Sequence, residues 1–322
     1  MSSEKEVGPV ILDPLVVCGP SGVGKGTVIT RFLEVQKDQY VASLEMNDKT
    51  PQRKESQKFN FVEFVFAVSH TSRLPRPTEV DGVHYHFVDQ HSMRQLIANG
   101  NEVTETTTTT TTTPSSCGSD SKTMWESSYF VEHANVHGNL YGTSWDAIVK
   151  VHASNQKTIG NTRVIRKAIL DIDIQGVQHL KKIEQEQKDD MERGEILPFL
   201  LQPKYIFIAP PSLRSLQERL MARGTESKLS LVTRTSNAIH EMNYGLRLLR
   251  YALDERLDVM YRKSKHFHTV VVNGCSVNDT VDELMICVDR IYNIPRFERP
   301  AHVNANNYIP HEPIQIYEDM LY

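Results

Sequence analysis

The sequence predicts an α/β fold built on a mainly parallel sheet, on three observations. Short β-rich apolar runs recur at residues 14–17, 61–68, 168–172, 205–208 and 269–272. Helical patterns fall between several of them, the alternation that crossover-linked parallel strands require. The first run breaks into a glycine loop, "VVCGPSGVGKGT" over residues 16–27, and then into "TVITRFLEVQ", whose apolar spacing suits an amphipathic helix.

At 322 residues the chain can bury a substantial core, as one large domain or a core with subdomains. A formal charge of −4, mixed in sign, sets up no basic field, so neither nucleic acid nor an acidic membrane surface is an expected partner. The opening "MSSEKEVGPV" lacks the apolar stretch of a secretory signal and no later run approaches bilayer length, so the expected location is the cytoplasm. Cys18, Cys117, Cys275 and Cys287 lie far apart with no CxxC spacing and read as reduced thiols. Among 13 histidines the close sets, His84 with His86 and His266 with His268, have no further ligands nearby, which argues against a histidine metal site.

Four stretches interrupt the alternation. "EMNDKTPQRKESQK" (residues 45–58) and "TETTTTTTTTPSSCGSDSK" (104–122) have too little apolar surface to offset chain ordering and are expected to be mobile. The charged "KKIEQEQKDDMERGE" (181–195) reads as a solvated helix, and the tail from residue 295 carries no clear pattern.

Gly19 to Lys25 fits GxxxxGK between a buried-strand pattern and a helix, the context of a phosphate-binding loop. Glycines let backbone N–H groups curl round phosphates, the helix N-terminus adds about half a positive charge, and Lys25 reaches the outer phosphates. Gly26 stands where many such loops carry a hydroxyl that grips magnesium. Farther on, "SHTSRLPRPTEVDGVHYHFVD" from Ser69 sets Arg73 and Arg76 three residues apart, with Tyr85 nine beyond. Two guanidinium forks and a phenol can surround one phosphate monoester.

These segments occur in order with others: "SHTSRLPRPTEVDGVHYHF", "GNLYGTS", "ILDIDIQG" and "FIAPPSLRSLQERLMARGTE". Together they resemble the guanylate kinase family, from about residue 10 to the "VVVNG" near Asn273, insertions excepted. The resemblance implies a P-loop kinase fold, a mainly parallel sheet flanked by helices, with a small mixed β GMP-binding subdomain and a helical lid. It divides the chain into core segments at 1–67, 144–211 and 236–294, a GMP-binding subdomain at 68–143, a lid at 212–235 and a tail at 295–322. The insertions then fall at about 41–58 and 102–124.

Carried over residue by residue, the resemblance implies that Arg73, Arg76, Tyr85 and Tyr141 hold the GMP phosphate. Ser69, Glu132 and Thr143 would face the guanine, with Asp173 in the same site. Guanine presents N1–H and its 2-amino group as adjacent donors, which one carboxylate at Glu132 accepts together, whereas adenine presents an acceptor at N1. The implied ATP site comprises Gly19, Pro20, Ser21, Gly22, Val23, Gly24, Lys25, Gly26 and Thr27, with Arg219 and Asn273. Arg219, Arg223 and Arg234 would clamp the ATP phosphates, and with Lys25 and Arg73 they form the expected catalytic set.

In "AILDIDIQG", Asp171 and Asp173 are expected on one side of a strand at its C-terminal end. Neighbouring carboxylates need a cation or donors, so Mg2+ arriving with ATP is expected near Asp171, in its outer shell, with Thr27 as a further candidate.

The expected activity is ATP:GMP phosphotransfer, a step of purine nucleotide metabolism in which the γ-phosphoryl passes directly in line to GMP or dGMP, giving ADP and GDP. ATP and GMP are the expected partners of a monomer or weak homo-oligomer. Two other readings stay open: a catalytically inactive guanylate-kinase-like interaction module, and a kinase for another nucleoside monophosphate, since "GKGT" also resembles adenylate kinases.

Overall fold

The computed structural model describes residues 8–48, 59–99, 128–154, 158–159, 162–222, 228–246, 264, 266–274 and 276–294. The threonine tract, the C-terminal tail, Cys117, Cys275 and Arg223 lie outside the described residues. The chain begins with β1 (Val10–Leu12), β2 (Leu15–Cys18), α1 (Lys25–Asp48), β3 (Phe59–Phe66), β4 (His70–Thr71), β5 (His86–Phe87) and α2 (Gln90–Asn99). It continues through β6 (Phe130–Val136), β7 (Asn139–Ser144), α3 (Trp145–Ala153), β8 (Thr158–Ile159), β9 (Thr162–Asp171) and α4 (Ile174–Glu192). The last described elements are β10 (Phe199–Leu201), β11 (Lys204–Ala209), α5 (Leu213–Ala222), α6 (Lys228–Gly245), β12 (Thr269–Val272) and α7 (Val277–Ile291).

Two compact units result. One holds the described parts of Leu12–Phe66, Val151–Ile174 and Gln202–Tyr322, the other those of Met1–Ile11, Ala67–Lys150 and Gln175–Leu201.

The first unit is built on five parallel strands in the order β12, β11, β2, β9, β3, with β8 antiparallel on β9. This is the α/β architecture that the alternation predicts. β2 is buried at every residue, as a central strand covered on both faces must be, so it reads as a continuous apolar run. β9 begins six residues before the apolar run marks it, because its polar start is paired. Glu63 on β3 stands opposite Arg166 on β9 and accepts its Nε at 2.6 Å, a cross-strand ion pair that lengthens the ladder. Val28, Ile29, Phe32 and Gln36 of α1 are buried along one face. α1 also runs through residues 45–48, part of the polar stretch expected to be mobile, since no glycine or proline interrupts it there. The remainder of that stretch lies outside the described residues.

The second unit carries a mixed sheet in the order β5, β4, β7, β6, parallel only between β4 and β5. His137 and Gly138 turn β6 into β7 at φ 52° and 83°, the paired left-handed dihedrals of a type I′ hairpin. The charged segment at 181–195 is helical up to Glu192, and its α4 is one-sided rather than solvated all round. Leu180, Ile183, Gln187 and Asp190 are buried, and Gln187 Oε1 accepts the Leu201 amide at 2.8 Å.

Candidate active site

In the first unit β2 ends at Cys18 and the chain turns through Gly19, Gly22 and Gly24 at φ 154°, 90° and 96° before α1 starts at Lys25. Glycine is required at Gly19 for space as well, since a Cβ there would lie 2.2 Å from the Ile208 carbonyl oxygen on β11. The loop is braced from behind. Val23 O accepts Asn273 Nδ2 at 2.7 Å and Arg219 Nη1 at 3.0 Å, and Arg219 Nη2 also donates to the carbonyls of Asn273 and Gly274 at 2.8 and 2.7 Å. Thr280 Oγ1 in turn donates to Asn273 Oδ1 at 3.1 Å. Two residues assigned to ATP from the sequence, Arg219 and Asn273, thus converge on the same loop carbonyl. Gly26 and Thr27 are exposed in the first turn of α1, and a Cβ on Gly26 would meet nothing within 4 Å.

Lys25 Nζ donates to the carbonyls of Gly19 and Pro20 at 2.6 and 3.4 Å and stands 4.0 Å from Asp171 Oδ1. That carboxylate oxygen is sealed from solvent and makes no hydrogen bond with the described residues. Burial raises the Asp171 pKa, and the nearby Lys25 charge opposes the rise. β9 stops at Asp171, so Asp173 falls in the link to α4 and the strand alternation expected to align the two carboxylates does not reach it. Among the described residues no group of three acidic, histidine or cysteine side chains is gathered in a metal-binding cluster. A lone hard carboxylate oxygen fits Mg2+ carried mainly by nucleotide phosphates and water.

Sequence reasoning missed Glu241. It lies on α6, seven residues beyond the half-buried Arg234, and its Oε2 accepts the Ser21 amide of the glycine loop at 3.3 Å. Burial is the main cause pushing its pKa up to about 7; Lys25 lowers it, Asp173 raises it and the Ser21 bond lowers it.

In the second unit, Ser69, Glu132 and Thr143 form a buried relay. Glu132 is 3 % exposed, its Oε1 accepts Thr143 Oγ1 at 2.6 Å, and Thr143 Oγ1 lies 2.8 Å from Ser69 Oγ. Arg73, Arg76, Tyr85 and Tyr141 gather in the same unit. Tyr141 lies near enough to Arg73 to help raise its pKa, Arg73 stands over the Tyr85 ring at 5.6 Å, and the two tyrosine rings meet edge to face at 6.0 Å. Glu79, also missed from the sequence, takes both terminal nitrogens of Arg73 at 2.9 Å and the Arg76 amide at 2.7 Å. Burial would raise the Glu79 pKa, and the bonds from Arg73 and Arg76 outweigh it and hold it below the ordinary value. A glutamate three residues after Arg76 is the signal that could have marked it. Its carboxylate meets the arginine fork as a phosphate would, two oxygens to two N–H groups.

The family model described as "Guanylate kinase" matches residues 57–113 and 119–188. The chain is 33 % identical over 229 residues to "Guanylate kinase" of Sus scrofa, covering 71 % of this chain and 76 % of that protein. It is 32 % identical over 234 residues to "Guanylate kinase" of Schizosaccharomyces pombe, covering 73 % of this chain and 77 % of that protein. The chain belongs to the guanylate kinase family. Against "Guanylate kinase 1" of Arabidopsis thaliana it is 31 % identical over 256 residues, 79 % of this chain but 46 % of that protein. This guanylate kinase family member therefore spans under half the length of the plant relatives it matches. Among its described residues no helix is long and apolar enough to cross a membrane.

Proposed function

We propose that the chain transfers the γ-phosphoryl group of Mg-ATP to GMP and dGMP, giving ADP with GDP or dGDP. The observation that carries this reading is the buried Ser69–Thr143–Glu132 relay. It presents a desolvated carboxylate that suits the paired N1–H and 2-amino donors of guanine and meets the N1 lone pair of adenine unfavourably. Arg73, Arg76, Tyr85 and Tyr141 are proposed to hold the GMP phosphate, with Arg73 turning from Glu79 to reach it. Asp173, in the link from β9 to α4, is also proposed to serve GMP.

On the donor side, the backbone N–H groups between Gly19 and Thr27, Pro20 excepted, and the α1 N-terminus cradle the ATP phosphates, and Lys25 leaves its loop carbonyls to reach the outer ones. Arg219 and Asn273 brace the loop near the base, and Arg219, Arg223 and Arg234 neutralise charge as the phosphoryl group moves. Mg2+ bound with ATP would be held in outer shell by Asp171, with Thr27 close by, and would offset charge on the phosphates. No residue is needed as a general base, because the acceptor is already an ionised phosphate. Positioning and electrostatic neutralisation account for the rate. The buried thiols of Cys18 and Cys287 suit a reducing cytoplasm, where the enzyme would act as a monomer or weak homo-oligomer.

A coupled ADP-release assay with GMP, dGMP, AMP, CMP and UMP side by side tests the proposal. Turnover with the two guanine nucleotides and background rates with the others are expected. Absence of turnover with GMP removes the enzymatic reading, and preference for AMP removes the guanine assignment.

A further inference from the structure

Among the described residues β6 is the last strand of its sheet and pairs with β7 alone. Along such an edge every second amide points away from the sheet and needs an acceptor elsewhere. In β6 these include the amides of His133 and Asn135, and α4 supplies the acceptors. His133 N donates to His179 Nδ1 at 3.3 Å and Asn135 N to Gln175 Oε1 at 3.5 Å, while Gln175 Nε2 donates back to Asn135 O at 3.2 Å. Gln175 and His179 are four residues apart, so one helical turn presents both side chains to the strand. The rings of His133 and His179 pack with centroids 4.5 Å apart. A helix thereby stands in for a neighbouring strand.

The contact falls beside the residue read as selecting guanine. Phe130 pairs with Ser144 and Glu132 with Thr143, so Val131 is an extra residue, a bulge immediately before Glu132. The ladder is therefore irregular on that side, and on the other, where Glu132 to Val136 pair regularly with β7, the His133–His179 bond fixes the outer edge of the strand. We propose that His179 is a positioning residue for guanine selection: by accepting the His133 amide it sets the strand that carries Glu132 to the base. The proposal rests on the reading of Glu132 as the partner of guanine. To accept an N–H at Nδ1 the His179 ring must be neutral, with its proton on Nε2. A small displacement of β6 would spoil both the 2.6 Å Thr143 bond and the alignment of the carboxylate with two donors on one base edge.

Asparagine carries Oδ1 at the same bond distance from Cβ as histidine carries Nδ1, whereas alanine has no acceptor and glutamine places its oxygen one bond farther out. The test is calorimetric Kd for GMP and for ATP in the wild type, His179→Ala, His179→Asn and Glu132→Gln, with amide exchange at His133 followed by NMR. His179→Ala is expected to raise the GMP Kd about fivefold, leave the ATP Kd within about twofold and speed His133 exchange, and His179→Asn to restore all three. Equal behaviour of the alanine and asparagine variants, or a parallel rise for ATP, overturns the proposal. If His179→Ala fails to fold, His179→Gln takes its place, and a GMP Kd equal to that of His179→Asn is the overturning result. A GMP Kd unmoved by Glu132→Gln, or no GMP binding by the wild type, removes the guanine reading and this inference together. A large rise from Glu132→Gln with none from His179→Ala removes the positioning role alone.

Discussion

Thr143 has one hydroxyl proton, and the 2.6 Å contact gives it to Glu132. The 2.8 Å contact with Ser69 must then be donated by Ser69 Oγ, so the direction of the whole relay follows from the carboxylate at its end. Replacing Glu132 by glutamine keeps an acceptor for Thr143 but turns an amide N–H2 toward one of the two guanine donors. The GMP KM is expected to rise about 30- to 100-fold and the ATP KM to stay within about twofold. Steady-state kinetics with each substrate varied in turn decide it, and equal rises would remove Glu132 from the guanine site. Glu79 shows the same economy at Arg73 and Arg76, where one carboxylate orients the Arg73 fork and ties down the Arg76 backbone.

At the scale of elements, helical spacing in α6 sets an arginine and a carboxyl on one face. Arg234 and Glu241 are seven residues apart and share a face, and the glutamate is the one seated on the glycine loop at Ser21. Its folded pKa of about 7 lies above the ordinary 4.5, chiefly through burial. The folded protein therefore holds a proton that the unfolded chain releases between these values. The resulting stability is complete below 4.5 and is lost as pH rises through 7, a difference on the order of 3 kcal/mol. The melting temperature of the wild type is expected to fall between pH 5.5 and pH 8, and that of Glu241→Gln to follow a flatter curve. Parallel curves from calorimetric scans would show that this carboxyl does not titrate as described.

At the scale of the molecule, each unit has its own buried side chains, and the first is centred on aromatic packing between helix and sheet. Phe32 of α1 is fully buried against Phe64 of β3 with ring centroids 5.6 Å apart, and Tyr292 meets Phe64 edge on at 5.2 Å. Phe32→Ala should lower unfolding free energy by about 3–5 kcal/mol, read as a drop in the urea midpoint. A loss below about 1 kcal/mol would mean that the surroundings collapse into the space and that Phe32 is not the centre of this core.

The sequence by itself determined the features that depend on near neighbours. Strand and helix alternation follows from periodicity, and the phosphate loop follows from glycines that alone accept φ 90° and 96° at Gly22 and Gly24. The ordered segments around Arg73, Tyr141 and Asp171 were legible because each is a run of adjacent residues. Tertiary structure alone decided which distant side chains complete these sites. Ser21 and Glu241 are 220 positions apart and His133 and His179 are 46 apart, and no local propensity relates them. The end of β9 at Asp171, which leaves Asp173 past the strand, was likewise settled by the neighbouring strands, the last bond being donated by Ile172 N to Val17 O at 3.2 Å. Dihedral preference and side-chain period are properties of a short segment. Burial of a carboxylate, and the group that answers it, exist only when the chain has folded around them.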